Sequence, residues 1–164
     1  MNSESASAVE AVRGQLQVFV TNIVGDTVLA EDIVQDAVLA YLRTVSEGKG
    51  VGCPGAWLMK VARNKALDAV RSAGYLRRAD IGTVQRKESG EDIEMHLGMR
   101  ERIAQVRKAA MQLPEQQRSA FVLRDVLGYE MEEIASVLGC SADNARQSVS
   151  RARKRIREYL LNNE

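Results

Sequence analysis

The chain has a single histidine, two cysteines and no run of apolar residues long enough to span a bilayer. Each scarcity excludes something. His96 sits in a polar stretch, the setting of an exposed side chain rather than of a metal ligand or general base. Cys53 and Cys140 lie far apart with no Cys or His neighbour, which argues against a zinc knuckle and against a disulfide framework. The opening residues, MNSESASAVEAVRG, lack the basic segment and apolar core of a secretory signal. A cytoplasmic chain with no membrane insertion is therefore expected. No Ser/Cys/His cluster, phosphate-cradling glycine loop or metal-ligand spacing occurs. Accordingly no enzymatic activity, no cofactor and no small-molecule substrate are expected. Net charge is scarce too, at +1 over 164 residues, yet it is unevenly placed. Between Ser141 and Leu160 stand Arg146, Arg151, Arg153, Lys154, Arg155 and Arg157 against only Asp143 and Glu158, and a local field of this kind steers toward phosphates more than the total charge does.

That basic stretch closes the most informative segment, YEMEEIASVLGCSADNARQSVSRARKRIREYL. Ile134, Ala135 and Leu138 share a face of a helix predicted over 130–138, Gly139 and Cys140 interrupt it, and Ser141 is placed to cap a second helix. In the second helix Ala145, Val149, Ala152 and Ile156 form one apolar stripe at 4-3-4 spacing. Asp143, Arg146, Gln147, Ser150, Arg151 and Lys154 point the other way. This is the pattern of a helix-turn-helix, whose second helix lies in a major groove with Arg and Gln on base edges and Lys and Arg on phosphates. A solvated basic face on an ordinary bundle helix is the alternative.

The rest of the chain also carries helical period, with no convincing strand alternation and no internal repeat. A first helix is predicted over 8–24, stopping at Gly25-Asp26. A second, over 28–45, puts Leu29, Ile33, Ala37, Val38, Tyr41 and Leu42 on an apolar side and Glu31, Asp32, Gln35 and Asp36 opposite. Gly48, Gly50, Gly52 and Pro54 make 46–55 a flexible loop. A third helix, over 55–71, buries Trp57, Leu58, Val61, Ala62 and Ala69 and aligns Lys60, Asn64 and Arg71 on another face. Residues 79–98 are polar and poor in apolar period, the composition of a linker. Helices resume at Met99, with Ile103, Val106 and Ala110 as apolar marks; Pro114 opens a further helix that Gly128 ends. The fold class is all-α: two small helical domains, 1–78 and 99–164, joined by the linker 79–98.

With these pieces placed, the chain resembles the extracytoplasmic-function (ECF) group of the bacterial sigma-70 family of RNA polymerase sigma factors. AEDIVQDAVL is similar to the family's regions 2.1 to 2.2, PGAWLMKVARNKALDAVR to regions 2.3 and 2.4, and LPEQQRSAFVLRDVLGYEMEEIASVLGCSADNARQSVSRARKRI to region 4. The resemblance implies a factor that directs core RNA polymerase to promoters and assists melting, without covalent chemistry. It places polymerase binding on Asp32, Gln35 and Asp36. It places minus-ten DNA on the loop 46–55 and on Trp57, Lys60, Arg63, Asn64 and Arg71, with Trp57 weighted toward the core rather than toward base stacking. Minus-thirty-five DNA falls to Asp143, Asn144, Arg146, Gln147, Ser150, Arg151, Arg153 and Lys154. Core RNA polymerase, promoter DNA and an anti-sigma factor are the implied partners.

The sequence departs from the family pattern in places. Val38 and Leu42 stand where relatives often carry aromatics, a change that packing can absorb. Asp143 and Asn144 replace the common Gly and Thr, and Gln147 the common Ser, so an unusual base preference is expected. The linker is acidic at Glu88, Glu91, Asp92 and Glu94, and no regulatory domain is expected beyond Glu164. The rival reading is a stand-alone helix-turn-helix regulator, which would need strong DNA binding by the free protein and a dimer interface.

Overall fold

Asp26 and Ser141 cap helix starts, and Gly25, Gly48, Gly128 and Gly139 take positive φ at or just after helix ends. The computed structural model describes residues 3–77 and 97–163, and no strand occurs among them. The chain divides into two compact units, Met1–Arg86 and Lys87–Glu164.

The first unit holds α1 (Ser3–Val24), α2 (Thr27–Ser46) and α3 (Pro54–Arg77), each packed against the other two. Gly25, at φ 76°, turns the chain after α1, and the Asp26 carboxylate caps α2 by accepting from the Val28 N–H at 2.9 Å and the Leu29 N–H at 3.3 Å. Leu16, Phe19 and Val20 of α1, Ala30 and Ala37 of α2, and Leu58, Met59, Ala62 and Ala66 of α3 lose all their solvent exposure. At about 25 cal/mol per Å2 of apolar surface, this burial is the main driving force for the bundle.

Several sequence expectations shift here. The first helix starts at Ser3 rather than Ala8. Pro54 is the first residue of α3 rather than part of the loop, because a missing N–H costs nothing in a first turn. Trp57, Val61 and Ala69 are half-buried, and it is Met59 and Ala66 that fill the interior beside Leu58 and Ala62. Leu29 and Leu42 are likewise half-buried, while Ala30 and Val34 lie inside. Trp57 packs on Tyr41 with ring centroids 5.7 Å apart and planes at 59°, a tilted aromatic pair.

The second unit runs α4 (Leu97–Met111), α5 (Glu115–Phe121), a π turn (Val122–Val126), α6 (Met131–Leu138) and α7 (Ala142–Asn162). Helix α7 is the spine, with α4, α5 and α6 all laid against it. The linker expectation falls on 79–96, together with Glu88, Glu91, Asp92, Glu94 and His96, outside the described residues; its last two positions, Leu97 and Gly98, belong to α4. Of the apolar marks on that helix Ala110 is buried and Val106 half-buried, whereas Met99 at 55% and Ile103 at 39% stay exposed. The reason is that α4 meets α7 through its C-terminal end, where Ala109 and Leu113 join Ala152 and Ile156 in one cluster with Val106, Phe121, Tyr159 and Leu160 around it.

Candidate nucleic-acid interface

The helix-turn-helix is built as the sequence dictates. Glu133 accepts the Glu130 N–H at 3.1 Å, half of a capping box at the start of α6. Gly139 ends α6 at φ 69°, a conformation only glycine adopts without penalty, and the Cys140 N–H closes the turn onto the Ala135 carbonyl at 3.0 Å. Ser141 then caps α7, its hydroxyl accepting the Asn144 N–H at 3.1 Å. Ala145, Val149, Ala152 and Ile156 are all buried, so the rotation of α7 about its own axis is fixed by one apolar stripe.

That rotation decides what α7 presents. Asp143, Asn144, Arg146, Gln147, Ser150, Arg151, Arg153 and Lys154 are all exposed. By helical period Gln147, Ser150 and Lys154 stand opposite the buried stripe, while Arg146, Arg153 and Arg157 lie on the flank on the side of Val149. Arg146, Ser150, Arg153, Lys154 and Arg157 line an open groove whose far wall is Met131, at the start of α6. Arg157 belongs to the basic cluster but lies outside the DNA set that the resemblance implies; its spacing of three and seven residues from Lys154 and Ser150 is the signal that brings it into the groove.

Two of the arginines are engaged within the protein. Arg146 Nη1 donates to Asp143 at 2.7 Å. Arg153 donates through Nε at 2.8 Å and Nη2 at 2.5 Å to the two carboxylate oxygens of Asp125 in the π turn. The hydrogen bond to Asp125 raises the Arg153 pKa above its ordinary value, against a smaller lowering by burial. The resemblance assigns Arg153 to minus-thirty-five DNA, and nothing local in the sequence signals a partner as distant as Asp125. Within α5 burial lowers the pKa of Arg118, partly offset by Glu115, and its Nη2 donates to the Leu113 carbonyl at 3.2 Å.

In the first unit Asp32, Gln35 and Asp36 lie exposed together on α2, between Val28 at 65% and Leu39 at 52% exposure. Positions 28, 32, 35 and 39 are one helical column, so the face is an acidic and amide centre with an apolar residue at each end. On α3 Lys60, Asn64 and Arg71 are exposed, and Arg71 lies 3.7 Å from Asp68. Arg63 is not brought to them: it is buried, at 9% exposure, because it falls beside Ala62 and Ala66 on the packed side of the helix. The loop after α2 turns at Gly48, φ 77°, and its Lys49, Gly50 and Val51 form a shallow concavity with Tyr41, Pro54 and the start of α1.

Two segments match family descriptions: residues 8–75 match Sigma-70 region 2, and residues 103–156 match Sigma-70, region 4. Among curated relatives, the ECF RNA polymerase sigma factor SigJ of Mycobacterium tuberculosis is 37% identical over 92% of this chain and 49% of its own length. The ECF RNA polymerase sigma factor SigE of Mycolicibacterium smegmatis is 30% identical over 80% of this chain and 51% of its own. The chain thus spans about half the length of these two. The RNA polymerase sigma factor CarQ of Myxococcus xanthus is 31% identical over 89% of this chain and 83% of its own. Among solved structures, the sigma factor RpoE from Bartonella quintana, crystallised with the anti-sigma factor NepR, superposes with a TM-score of 0.78 at 24% identity, covering 97% of this chain and 98% of that one.

Proposed function

Since the chain belongs to the ECF sigma factors of the sigma-70 family, we propose that it binds core RNA polymerase, directs it to specific promoters and assists DNA melting at initiation. The observation that carries this reading is the exposed Gln147, Ser150, Arg151 and Lys154 face of α7, standing opposite a fully buried stripe at the end of a capped helix-turn-helix. A helix anchored in this way can enter a major groove of the minus-thirty-five element without rolling, with Gln147 and Arg146 near its entrance on base edges and Lys154 and Arg157 on phosphates. Asp143, Asn144, Ser150 and Arg151 complete the contacting set. Arg153 reaches phosphate only if Asp125 releases it.

The other unit takes the polymerase and the melted strand. Asp32, Gln35 and Asp36 offer charge-assisted and amide hydrogen bonds to basic groups on the enzyme, with Val28 and Leu39 as apolar flanks. Lys60, Asn64 and Arg71 hold the displaced minus-ten strand, and the glycine loop closes on an everted base, offsetting the few kcal/mol that unstacking costs. Arg63, buried, lies apart from that exposed face. The working division is 1–78 for polymerase and minus-ten DNA, 79–98 as connector and 99–164 for minus-thirty-five DNA, with helix α4 beginning at Leu97. The protein acts in the cytoplasm, and an anti-sigma factor that covers the polymerase-binding surface holds it inactive; the Bartonella sigma factor crystallised with an anti-sigma factor supports this partner class.

The test is run-off transcription with purified core polymerase on genomic fragments, paired with gel shifts with and without core enzyme. Promoter-specific transcripts and DNA binding that requires core enzyme are expected. Tight operator binding by the free protein as a dimer would replace this reading with that of a stand-alone regulator.

A further inference from the structure

Asp125 and Arg153 are 28 residues apart in sequence and joined by two hydrogen bonds, Nε to Oδ2 and Nη2 to Oδ1. A fork of this kind fixes the plane of the guanidinium as well as its distance. The pair is half-shielded, with side-chain exposures of 28% for Asp125 and 47% for Arg153. Asp125 owes its place to the π turn, where the Leu127 N–H reaches back five residues to the Val122 carbonyl at 2.9 Å. The residue before it, Arg124, goes elsewhere: it donates to the Tyr129 carbonyl at 2.9 Å and lies 3.6 Å from the Glu130 carboxylate. One turn of backbone therefore holds the entrance of α6 through Arg124 and the middle of α7 through Asp125.

We propose that Asp125 is a positioning residue for promoter recognition, clamping Arg153 so that α7 is held at one tilt and Arg153 serves as a strut rather than as a phosphate contact. This rests on the reading of α7 as the helix that enters DNA. The apolar stripe fixes how far α7 is rotated about its axis, while its tilt rests on packing to which the small side chains Ala145 and Ala152 add little interlocking shape. A polar link on the flank, at the level of Arg153, constrains that tilt further. Phosphate binding would require Arg153 to surrender two short hydrogen bonds to a carboxylate for a similar pair to an oxyanion, with no net gain in contacts. Lys154 and Arg157, which bear no such link in the groove, remain available to the DNA backbone.

The experiment uses holoenzyme assembled from core polymerase and the full chain. Binding to a promoter duplex and to a scrambled duplex is measured over a range of salt for wild type, Asp125→Asn, Arg153→Gln, their double variant, Asp125→Glu and Lys154→Gln. Asp125→Asn and Arg153→Gln should each lower the promoter-to-scrambled ratio, on the order of tenfold for the misplacement of one good base contact, and the double variant should be no worse than either. Their salt slopes should match wild type, while Lys154→Gln flattens the slope by about 1. Asp125→Glu, which keeps the carboxylate, should recover discrimination. Tighter binding to both duplexes with a steeper slope in Asp125→Asn would overturn the proposal, since Asp125 would then be competing with phosphate. A slope flattened by Arg153→Gln as much as by Lys154→Gln would overturn it too. Unchanged discrimination in Asp125→Asn, with wild type discriminating, removes the positioning role alone. A wild-type holoenzyme that prefers no promoter removes the functional reading beneath it.

Discussion

Arg146 and Asp143 face each other across one turn at the entrance of α7, with the guanidinium 2.7 Å from the carboxylate. Both are exposed, Arg146 at 53% and Asp143 at 86%, and an ion pair so open to solvent adds little to stability. It does set where Arg146 rests before DNA arrives, and it can be surrendered at small cost. The Asp125–Arg153 pair differs in having two hydrogen bonds and more shelter. Of the two paired arginines on that flank of α7, Arg146 is the one free to exchange its partner for a base edge.

Gln147 stands opposite the buried stripe in the first two turns of α7. Replacing it with Ala should change base preference at one or two positions of the minus-thirty-five element, a contact worth roughly 1–3 kcal/mol. Transcription from a promoter library reads this directly. An unchanged preferred sequence would require a different docking of the helix.

Lys154 lies a turn and more further along the same exposed face. Its change to Ala should weaken binding evenly across promoter sequences and lower the dependence on salt by about one counterion. Titrations at several salt concentrations separate this from a loss of base reading, which alters the ranking of promoters and leaves the slope alone.

Charge reversal at Asp32 and Asp36 together should abolish holoenzyme formation while leaving helix content intact, because both side chains are exposed and face away from the core. Circular dichroism and a pull-down with core enzyme make the comparison. Normal recovery of core enzyme would move the polymerase dock elsewhere.

Ser141→Ala removes the hydroxyl that accepts the Asn144 N–H and should cost about 1 kcal/mol of stability. Ile134→Ala, at a position with no solvent exposure, should cost about 2–5 kcal/mol. Denaturant unfolding of the full chain reports both, and a larger loss from the cap than from the core would contradict the packing described.

Local chemistry made much of this protein legible. Helical period placed the stripe Ala145, Val149, Ala152 and Ile156, and all four are buried. Turn chemistry placed the helix-turn-helix: Gly139 supplies the left-handed residue and Ser141 the cap, and both act within a few bonds of their own position. The acidic column of α2 was legible for the same reason, since residues four apart share a face whatever lies beyond. What the sequence did not reveal depends on neighbours remote along the chain. Arg63 has the composition of a DNA contact, yet the packing of α3 against α1 and α2 turns it inward. Met99 and Ile103 continue the apolar period of α4 but stay exposed because the helix meets α7 only toward its C-terminal end. The partner of Arg153 is the sharpest case. A π turn adds a residue to the α-helical register, and that added residue brings Asp125 to the flank of α7, a placement written in backbone hydrogen bonds rather than in any local pattern of residues. Sequence alone determined which helices form and where their apolar stripes run; tertiary packing decided how much of each face is covered and which cations are already paired, because burial and charge pairing depend on distance in space and not on distance along the chain.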